Sequence, residues 1–150
     1  MKTLDELFEQ ELEDIYYVEQ NLIKLLEKLE GESIDVKLRE AFSKHREETI
    51  QQVQRLEQVF DMLGKTPKKV VCQGLVGLLK EKAELSKKRP TKEIREVFNI
   101  TAGIKTERYE ISAYEGLIKM AKKIGANEVI GLFEQNLNEE KNALATLQKF

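Results

Sequence analysis

Several glutamates of this sequence lie at helix positions where a leucine would be expected. In the stretch IKTERYEISAYEGLI, Ile104, Ile111 and Ile118 recur every seven residues. Glu107 falls on the same stripe one turn after Ile104, and Glu110 flanks it. An unpaired carboxylate loses a large hydration energy when it is buried, so these side chains need partners. We interpret these acids as groups that converge inside a helical bundle and hold metal.

Three other segments show the same feature. Glu19 lies between Ile15 and Leu22 on an apolar stripe, and Glu140 lies close to the centre of the last stripe. The only histidine, His45, precedes Glu48 by three residues, a spacing that places both on one face of a helix. The candidate metal ligands are Glu19, His45, Glu48, Glu107, Glu110 and Glu140.

The charge and the donor types of this set indicate a dinuclear site. Two divalent or two trivalent ions would roughly neutralise its five carboxylates. Carboxylate oxygens with one imidazole suit iron or manganese. Two carboxylates can bridge the ions while the others bind one ion each, which leaves open positions for O₂ or peroxide.

A structural alternative exists for each of these residues. A single glutamate on an apolar stripe is more often a boundary residue whose head reaches water, and a lone histidine is more often a core residue with satisfied hydrogen bonds. The same feature on four helices is harder to explain in this way. The best structural alternative is that Lys105 and Arg108 neutralise Glu107 and Glu110 through salt bridges.

Other polar residues near the stripes are expected to have structural roles. Tyr16 and Tyr114 lie at stripe edges and could hydrogen-bond carboxylates, although core packing is the more common role. Glu13 and Asp14 point away from the first stripe and are expected to be solvated. Cys72 is expected to be a small buried hydrophobic residue.

Four long helices are needed to position the candidate ligands. Thr3 and Glu6 form a T-x-x-E capping box at the start of the first long helix. Apolar periodicity predicts long helices over about 3–31, 35–63, 91–124 and 127 to near the C-terminus, and a shorter helix over 70–85. Short links join the members of each pair of long helices, and a long crossover joins the pairs. This layout predicts an all-α, ferritin-like antiparallel four-helix bundle with a short additional helix in the crossover, as a single domain over 1–150.

Composition excludes several classes of protein. The net charge is −2 with both signs interspersed, which gives no footprint for nucleic acid and no basic face for a membrane. The single cysteine excludes an intramolecular disulfide and fits a reducing compartment. The charged start MKTLDELFEQ is unlike a signal peptide, and no apolar run approaches the roughly 20 residues that span a membrane. We therefore expect a cytoplasmic protein.

At these residues the sequence resembles the YciF/YciE-type bacterial and archaeal stress-response proteins of the ferritin-like superfamily. The resemblance covers nearly the whole chain, in the ordered segments LFEQELEDIYYVEQNL, HREETIQQVQRLEQVF, CQGLVGLL, TERYEISAYEGL and LNEEKNAL. It implies an antiparallel bundle, often dimeric, with a dinuclear metal site related to those of rubrerythrin and ferritin.

The resemblance also implies a role for each candidate ligand. Glu19 resembles the acid of the first helix, Glu48 with His45 the pair of the second helix, Glu107 with Glu110 the pair of the third, and Glu140 the acid of the last.

This chain departs from the family pattern at three places. The superfamily often has Glu-x-x-His on two helices, whereas this chain has the order His45-x-x-Glu48 on one and Ala143 three residues after Glu140 on the other. The family often has histidine where this chain has Arg108. Only one imidazole is therefore available.

Two functional hypotheses follow. The first is a di-iron or di-manganese carboxylate protein that handles O₂ or peroxide in a stress response, with ferroxidase or peroxidase/catalase-like turnover. His45 would then be a ligand or would orient one. The alternative is a non-catalytic dimeric helical bundle that acts as a structural or interaction protein. In both cases we expect a homodimer with no nucleic-acid or membrane partner.

Overall fold

The computed structural model describes residues 1–150 and contains five α-helices and no strand. The helices are α1 (Leu4–Glu32), α2 (Val36–Met62), α3 (Gln73–Lys87), α4 (Lys92–Ile124) and α5 (Ile130–Leu147), and a 3-10 turn (Asn127–Val129) precedes α5. The predicted all-α class is confirmed. α3 begins three residues later than predicted, because Cys72 has an extended backbone and its sulfur accepts a hydrogen bond from the Leu75 amide as an N-cap.

The ends of the long helices follow from local sequence. The predicted capping box is present at Thr3, whose hydroxyl accepts from the Glu6 amide while the Glu6 carboxylate accepts from the Thr3 amide. Asp35 caps α2 by accepting from the amides of its second and third residues. Gly125 ends α4 with φ of 78°, a left-handed conformation that glycine adopts without a Cβ clash.

The four long helices form the predicted bundle. α1 pairs with α2 and α4 pairs with α5 through short links, and α1 also packs on α4 while α2 packs on α5. Each long helix therefore lies beside two others and directs one face to a shared interior. α3 lies outside this bundle, against α4 and the end of α1.

The interior is apolar towards the ends of the bundle. Near one end, the ring of Phe8 meets that of Phe133 edge-on at 6.1 Å, and Tyr16 meets Phe60 at 5.4 Å. In α4, a Cβ added at Gly103 would lie 2.9 Å from the Cδ1 atom of Leu147, so this glycine permits the close packing of α4 on α5. No helix combines the length and the apolar character that a bilayer-spanning segment requires.

Candidate metal centre

A layer of buried acids crosses the interior at about mid-length. Glu19 of α1, His45 of α2, Glu107 and Glu110 of α4 and Glu140 of α5 are between 0 and 6% exposed. One ligand atom from each of His45, Glu107, Glu110 and Glu140 can be chosen so that the four atoms lie within 4.8 Å of one another. Five of the six residues predicted from the sequence thus share one buried layer, which the regular helical period explains.

The imidazole of His45 lies close to three carboxylates. Its Nε2 atom lies 2.9 Å from Glu107 Oε1 and 3.3 Å from Glu140 Oε2, whereas its Nδ1 atom lies 3.3 Å from Glu48 Oε2 on the opposite side of the ring. Glu48 is the sixth predicted residue, and its side chain is 24% exposed. The structure therefore places Glu48 at the rim of the cluster, behind the imidazole.

Many polar atoms in this layer lack hydrogen bonds. Seven buried atoms of the cluster have no partner: Glu19 Oε2, His45 Nε2, Glu107 Oε2, both carboxylate oxygens of Glu110 and both of Glu140. Although His45 Nε2 is close to two carboxylates, it makes no aligned hydrogen bond with either. Buried polar atoms normally have hydrogen-bond partners, so seven unpartnered atoms in one layer require an explanation. A cation bound among these atoms would explain them.

Burial shifts the proton affinities of these groups strongly. Loss of water and the charge of Glu140 raise the pKa of Glu19 to about 8. The same two causes, burial and neighbouring carboxylates, raise the pKa of Glu110 and of Glu140 well above the usual value. Burial alone would lower the pKa of His45, but the carboxylates of Glu107 and Glu140 raise it well above its usual value. Without a cation, the cluster must therefore hold protons.

The structural alternative, in which Lys105 and Arg108 neutralise Glu107 and Glu110 through salt bridges, is not what the structure shows. The Lys105 ammonium lies 3.1 Å from a carboxylate oxygen of Glu81, and both side chains are 55% exposed. Arg108 is exposed and forms no ion pair. Lys105 precedes Glu107 by two residues, which on a helix directs the two side chains to nearly opposite faces. No lysine or arginine pairs with any acid of the buried layer.

Tyr114 contacts the cluster directly. It is fully buried, and its hydroxyl donates to Glu19 Oε1 at 2.5 Å. The same hydroxyl accepts from Asn136 Nδ2 at 3.1 Å. Tyr114 therefore both packs in the core, the more common role for such a tyrosine, and hydrogen-bonds an acid of the cluster. Tyr16 instead donates to Glu57 and does not reach the cluster.

A polar network that the sequence did not reveal leads from Tyr114 to the surface. The Arg55 guanidinium donates to Asn136 Oδ1 at 2.9 Å and to Glu139 Oε1 at 2.6 Å. Gln52 Nε2 also donates to Glu139, at 3.3 Å. Asn136 and Gln52 are fully buried on the apolar stripes of α5 and α2, and a buried amide on such a stripe is the signal that could have indicated this network.

Glu13 and Asp14 are not the solvated charges that the helical pattern of α1 predicted. Glu13 is 7% exposed, and Asp14 accepts a hydrogen bond from the Tyr109 hydroxyl at 3.3 Å. The reason is that the segment before α3 covers this face of α1, where the Val70 amide donates to the backbone carbonyl of Glu13. Cys72 is buried as predicted, and its sulfur also lies 3.0 Å from the Tyr109 hydroxyl.

One small cavity of mixed polarity borders the cluster at His45. A cavity of about 50 Å³ lies between α2 and α5, and Lys44, His45, Glu48 and Asn142 contribute to its wall. Ala41, Phe42, Ala143 and Leu147 form the apolar part of the same wall, so charged groups and apolar side chains both border this approach to His45.

Comparison with known proteins identifies relatives along the whole chain. The family model described as "Domain of unknown function (DUF892)" matches residues 3–150. Protein YciF of Escherichia coli (strain K12) is 34% identical over 142 residues, which cover 94% of this chain and 86% of YciF.

Two solved structures share the fold closely. YcfI of Rhodopseudomonas palustris, described as a candidate structural protein, superposes with a TM-score of 0.95 at 34% identity and covers 99% of this chain and 95% of its own. The Escherichia coli stress protein YciF superposes with a TM-score of 0.92 at 33% identity. The match covers 99% of this chain and 94% of the YciF chain.

Proposed function

Because the chain belongs to the DUF892 family of YciF-like proteins, we propose a function on the basis of its own buried cluster. The protein holds two iron or manganese ions and handles O₂ or peroxide in a stress response. Its turnover is ferroxidase or peroxidase/catalase-like.

The observation that carries this proposal is the set of seven unpartnered atoms contributed by four helices. Glu19, His45, Glu107, Glu110 and Glu140 supply carboxylate oxygens and one imidazole, the donor types that suit iron and manganese. Two such ions would offset the negative charge that burial otherwise makes costly. The residues present therefore fit a dinuclear centre.

Each residue of the layer has a distinct role in this proposal. Glu48 accepts the Nδ1 proton of His45, which fixes the tautomer and leaves the Nε2 lone pair directed at the other acids. Tyr114 holds one oxygen of Glu19 in place. The apolar packing on either side excludes bulk water from the layer. When bound, the metal pair supplies the electrons for reduction of O₂ or peroxide.

Elemental analysis tests this function directly. The wild-type protein, expressed with added iron and manganese and purified without chelator, should carry about two metal ions per chain, as in other dinuclear sites. Glu110→Gln removes one charge at nearly constant shape, and its metal content should fall below about a tenth of an ion per chain because a buried ligand is lost. The matched control is Glu115→Gln on the exposed face of the same helix, which should retain the wild-type content.

A stability measurement separates loss of metal from loss of fold. Metal-free Glu110→Gln should unfold at a temperature no lower than that of the metal-free wild type, since the neutral amide replaces a buried carboxyl that stays neutral only by holding a proton. Full metal content in Glu110→Gln, or a wild type that takes up no Fe(II) or Mn(II) under anaerobic reconstitution, would contradict the proposal.

One observation favours a second candidate function. The similar protein YcfI is described as a candidate structural protein, so this chain could be a non-catalytic homodimeric bundle whose cluster is neutralised by protons. A dimer by light scattering together with no metal after reconstitution would support this alternative. A dimer with about two ions per chain would support the metal-binding function.

A further inference from the structure

A second cavity also reaches the cluster, and it shares Phe42 and His45 with the cavity between α2 and α5. It has a volume of about 30 Å³ and lies between α1, α2, α3 and α4. Most of its wall is hydrophobic and includes Leu22, Leu26, Leu29, Leu78 and Ala102. At its inner end the wall is formed by His45 and Glu107.

The other polar side chains of this wall have their hydrogen bonds satisfied elsewhere. The Lys82 ammonium donates to Glu32 Oε2 at 2.7 Å and to Asn99 Oδ1 at 2.8 Å. The Thr106 hydroxyl donates to the backbone carbonyl of Ala102 at 2.9 Å. The wall therefore offers free polar side-chain atoms only at the cluster.

The unpartnered atoms at that end are Glu107 Oε2 and His45 Nε2. A molecule in the cavity would thus be surrounded by apolar side chains and would meet unpartnered polar atoms only at His45 and Glu107. This asymmetry defines the kind of occupant that the cavity can hold.

Size and polarity point to a small apolar occupant. A buried water needs about 10–15 Å³ and two to four polar partners, and apolar cavities without such partners stay dry and take up xenon or benzene. The volume of this cavity suffices for one diatomic gas molecule or one xenon atom, but its leucine wall gives a water molecule no partners away from the cluster.

We propose that this cavity is a binding site for one small apolar molecule, and that it brings O₂ to the cluster at His45 and Glu107. The O₂ assignment rests on the function proposed above. Peroxide and metal ions instead arrive through the cavity between α2 and α5, where Lys44 and Glu48 supply charged groups. O₂ thus enters by a different cavity from peroxide and metal ions.

Xenon binding tests the cavity without reference to any metal. Crystals of the purified wild-type protein, pressurised with xenon, should show one atom against Leu26 and Leu78. Ala102→Leu fills the cavity from α4 and should abolish this site. Ala113→Leu is the matched control, since Ala113 lies on the same helix with similar partial burial and does not line the cavity, and it should retain xenon.

A second cavity-filling variant shows whether loss of xenon in Ala102→Leu comes from the filled cavity or from a folding defect. Leu78→Phe fills the same space from α3 and should also exclude xenon. Ordered water in place of xenon in the wild type, or xenon retained in both filled variants, would overturn the proposal.

Kinetics of the iron-loaded protein test the assignment to O₂. Oxidation of bound Fe(II) by O₂ should be about tenfold slower in Ala102→Leu than in Ala113→Leu, whereas oxidation by H₂O₂ should differ by less than about twofold. Equal slowing with both oxidants would overturn the O₂ route. If the protein holds no metal but binds xenon, the proposed function fails while the apolar site stands.

Discussion

At the scale of single residues, Tyr114 is the side chain that most directly controls the cluster from outside it. Its hydroxyl donates to Glu19 and accepts from Asn136, which in turn accepts from Arg55 near the surface. The hydrogen bond from Tyr114 stabilises the ionised form of Glu19 and so lowers the pKa of Glu19 against the larger effects of burial and of Glu140. Its removal should therefore make Glu19 hold its proton more tightly.

We predict that Tyr114→Phe weakens metal binding by about ten- to a hundredfold, the usual effect of losing a partner that orients a ligand. It should also destabilise the metal-free protein by about 1–3 kcal/mol, because a buried oxygen of Glu19 loses its donor. Competition with a chelator measures the affinity. Tyr17→Phe on α1 is the control, since the Tyr17 side chain donates no hydrogen bond to the protein and lies away from the cluster. Equal affinities of the two variants would show that Tyr114 only packs.

Residue positions were predictable where helical periodicity decides them. Glu19, Glu107 and Glu140 were identified by their spacing from apolar neighbours, and the structure buries all three in one layer. Side-chain direction was not predictable in this way. The orientation of the His45 ring, which places Glu48 behind it, depends on contacts from other helices that spacing does not encode.

At the scale of elements, α3 is held by few interactions. Its only buried residues are Leu75 near its start and Lys82. At its start, the adjoining Cys72 lies beside the Tyr109 hydroxyl, and Lys82 joins Glu32 to Asn99 further along. The crossover helix was predicted from its apolar content, but the face on which it lies was not, since this depends on partners from α1 and α4. The burial of Glu13 was not predictable for the same reason, since it depends on the segment before α3 that packs on α1.

We predict that Lys82→Ala loosens α3. A buried ammonium that binds a carboxylate and an amide contributes more than a surface ion pair. Its loss leaves Asn99 Oδ1 without a donor and leaves Glu32 with only the Asn99 amide as a donor. The free energy of unfolding should fall by about 1–3 kcal/mol. Backbone amides of Gln73–Lys87 should exchange with deuterium faster than in the wild type, because local opening becomes easier.

The control for this prediction is Lys80→Ala on the exposed face of α3. It should leave both the exchange rates of α3 and the free energy of unfolding close to those of the wild type. Unchanged exchange in Lys82→Ala would show that α3 is anchored by its first turn alone.

At the scale of the whole molecule, the bundle combines two apolar ends with a polar middle. The ends supply the burial that drives folding, and their pattern of stripes and short links made the architecture predictable. The middle opposes folding, because five buried ionisable groups lie together there with no lysine or arginine to pair them. Whatever neutralises that layer therefore decides how the stability of the entire molecule depends on pH.

For the metal-free protein we predict higher stability at pH 5 than at pH 8. The folded-state pKa of Glu19 is about 8, above the value of 4.5 for an exposed glutamate, and the pKa values of Glu110 and Glu140 are also raised. Above pH 4.5 the unfolded chain releases these protons while the folded chain retains them, so stability falls as pH rises through the folded-state values. His45, whose pKa is also raised, acts in the same direction.

The metal-loaded protein should respond in the opposite direction. Protons compete with metal for Glu110, Glu140 and the other ligands, so a fall in pH towards 5 releases metal and lowers the unfolding temperature. The two thermal-denaturation curves against pH should therefore cross, with each kcal/mol moving the midpoint by about 2–4 °C in a chain of this size. Metal-free Glu110→Gln should show a shallower pH dependence than the metal-free wild type, because one titrating group is gone. If the metal-free wild type instead loses stability towards pH 5, the buried acids are neutralised by something other than protons, and the assignment of their raised pKa values is wrong.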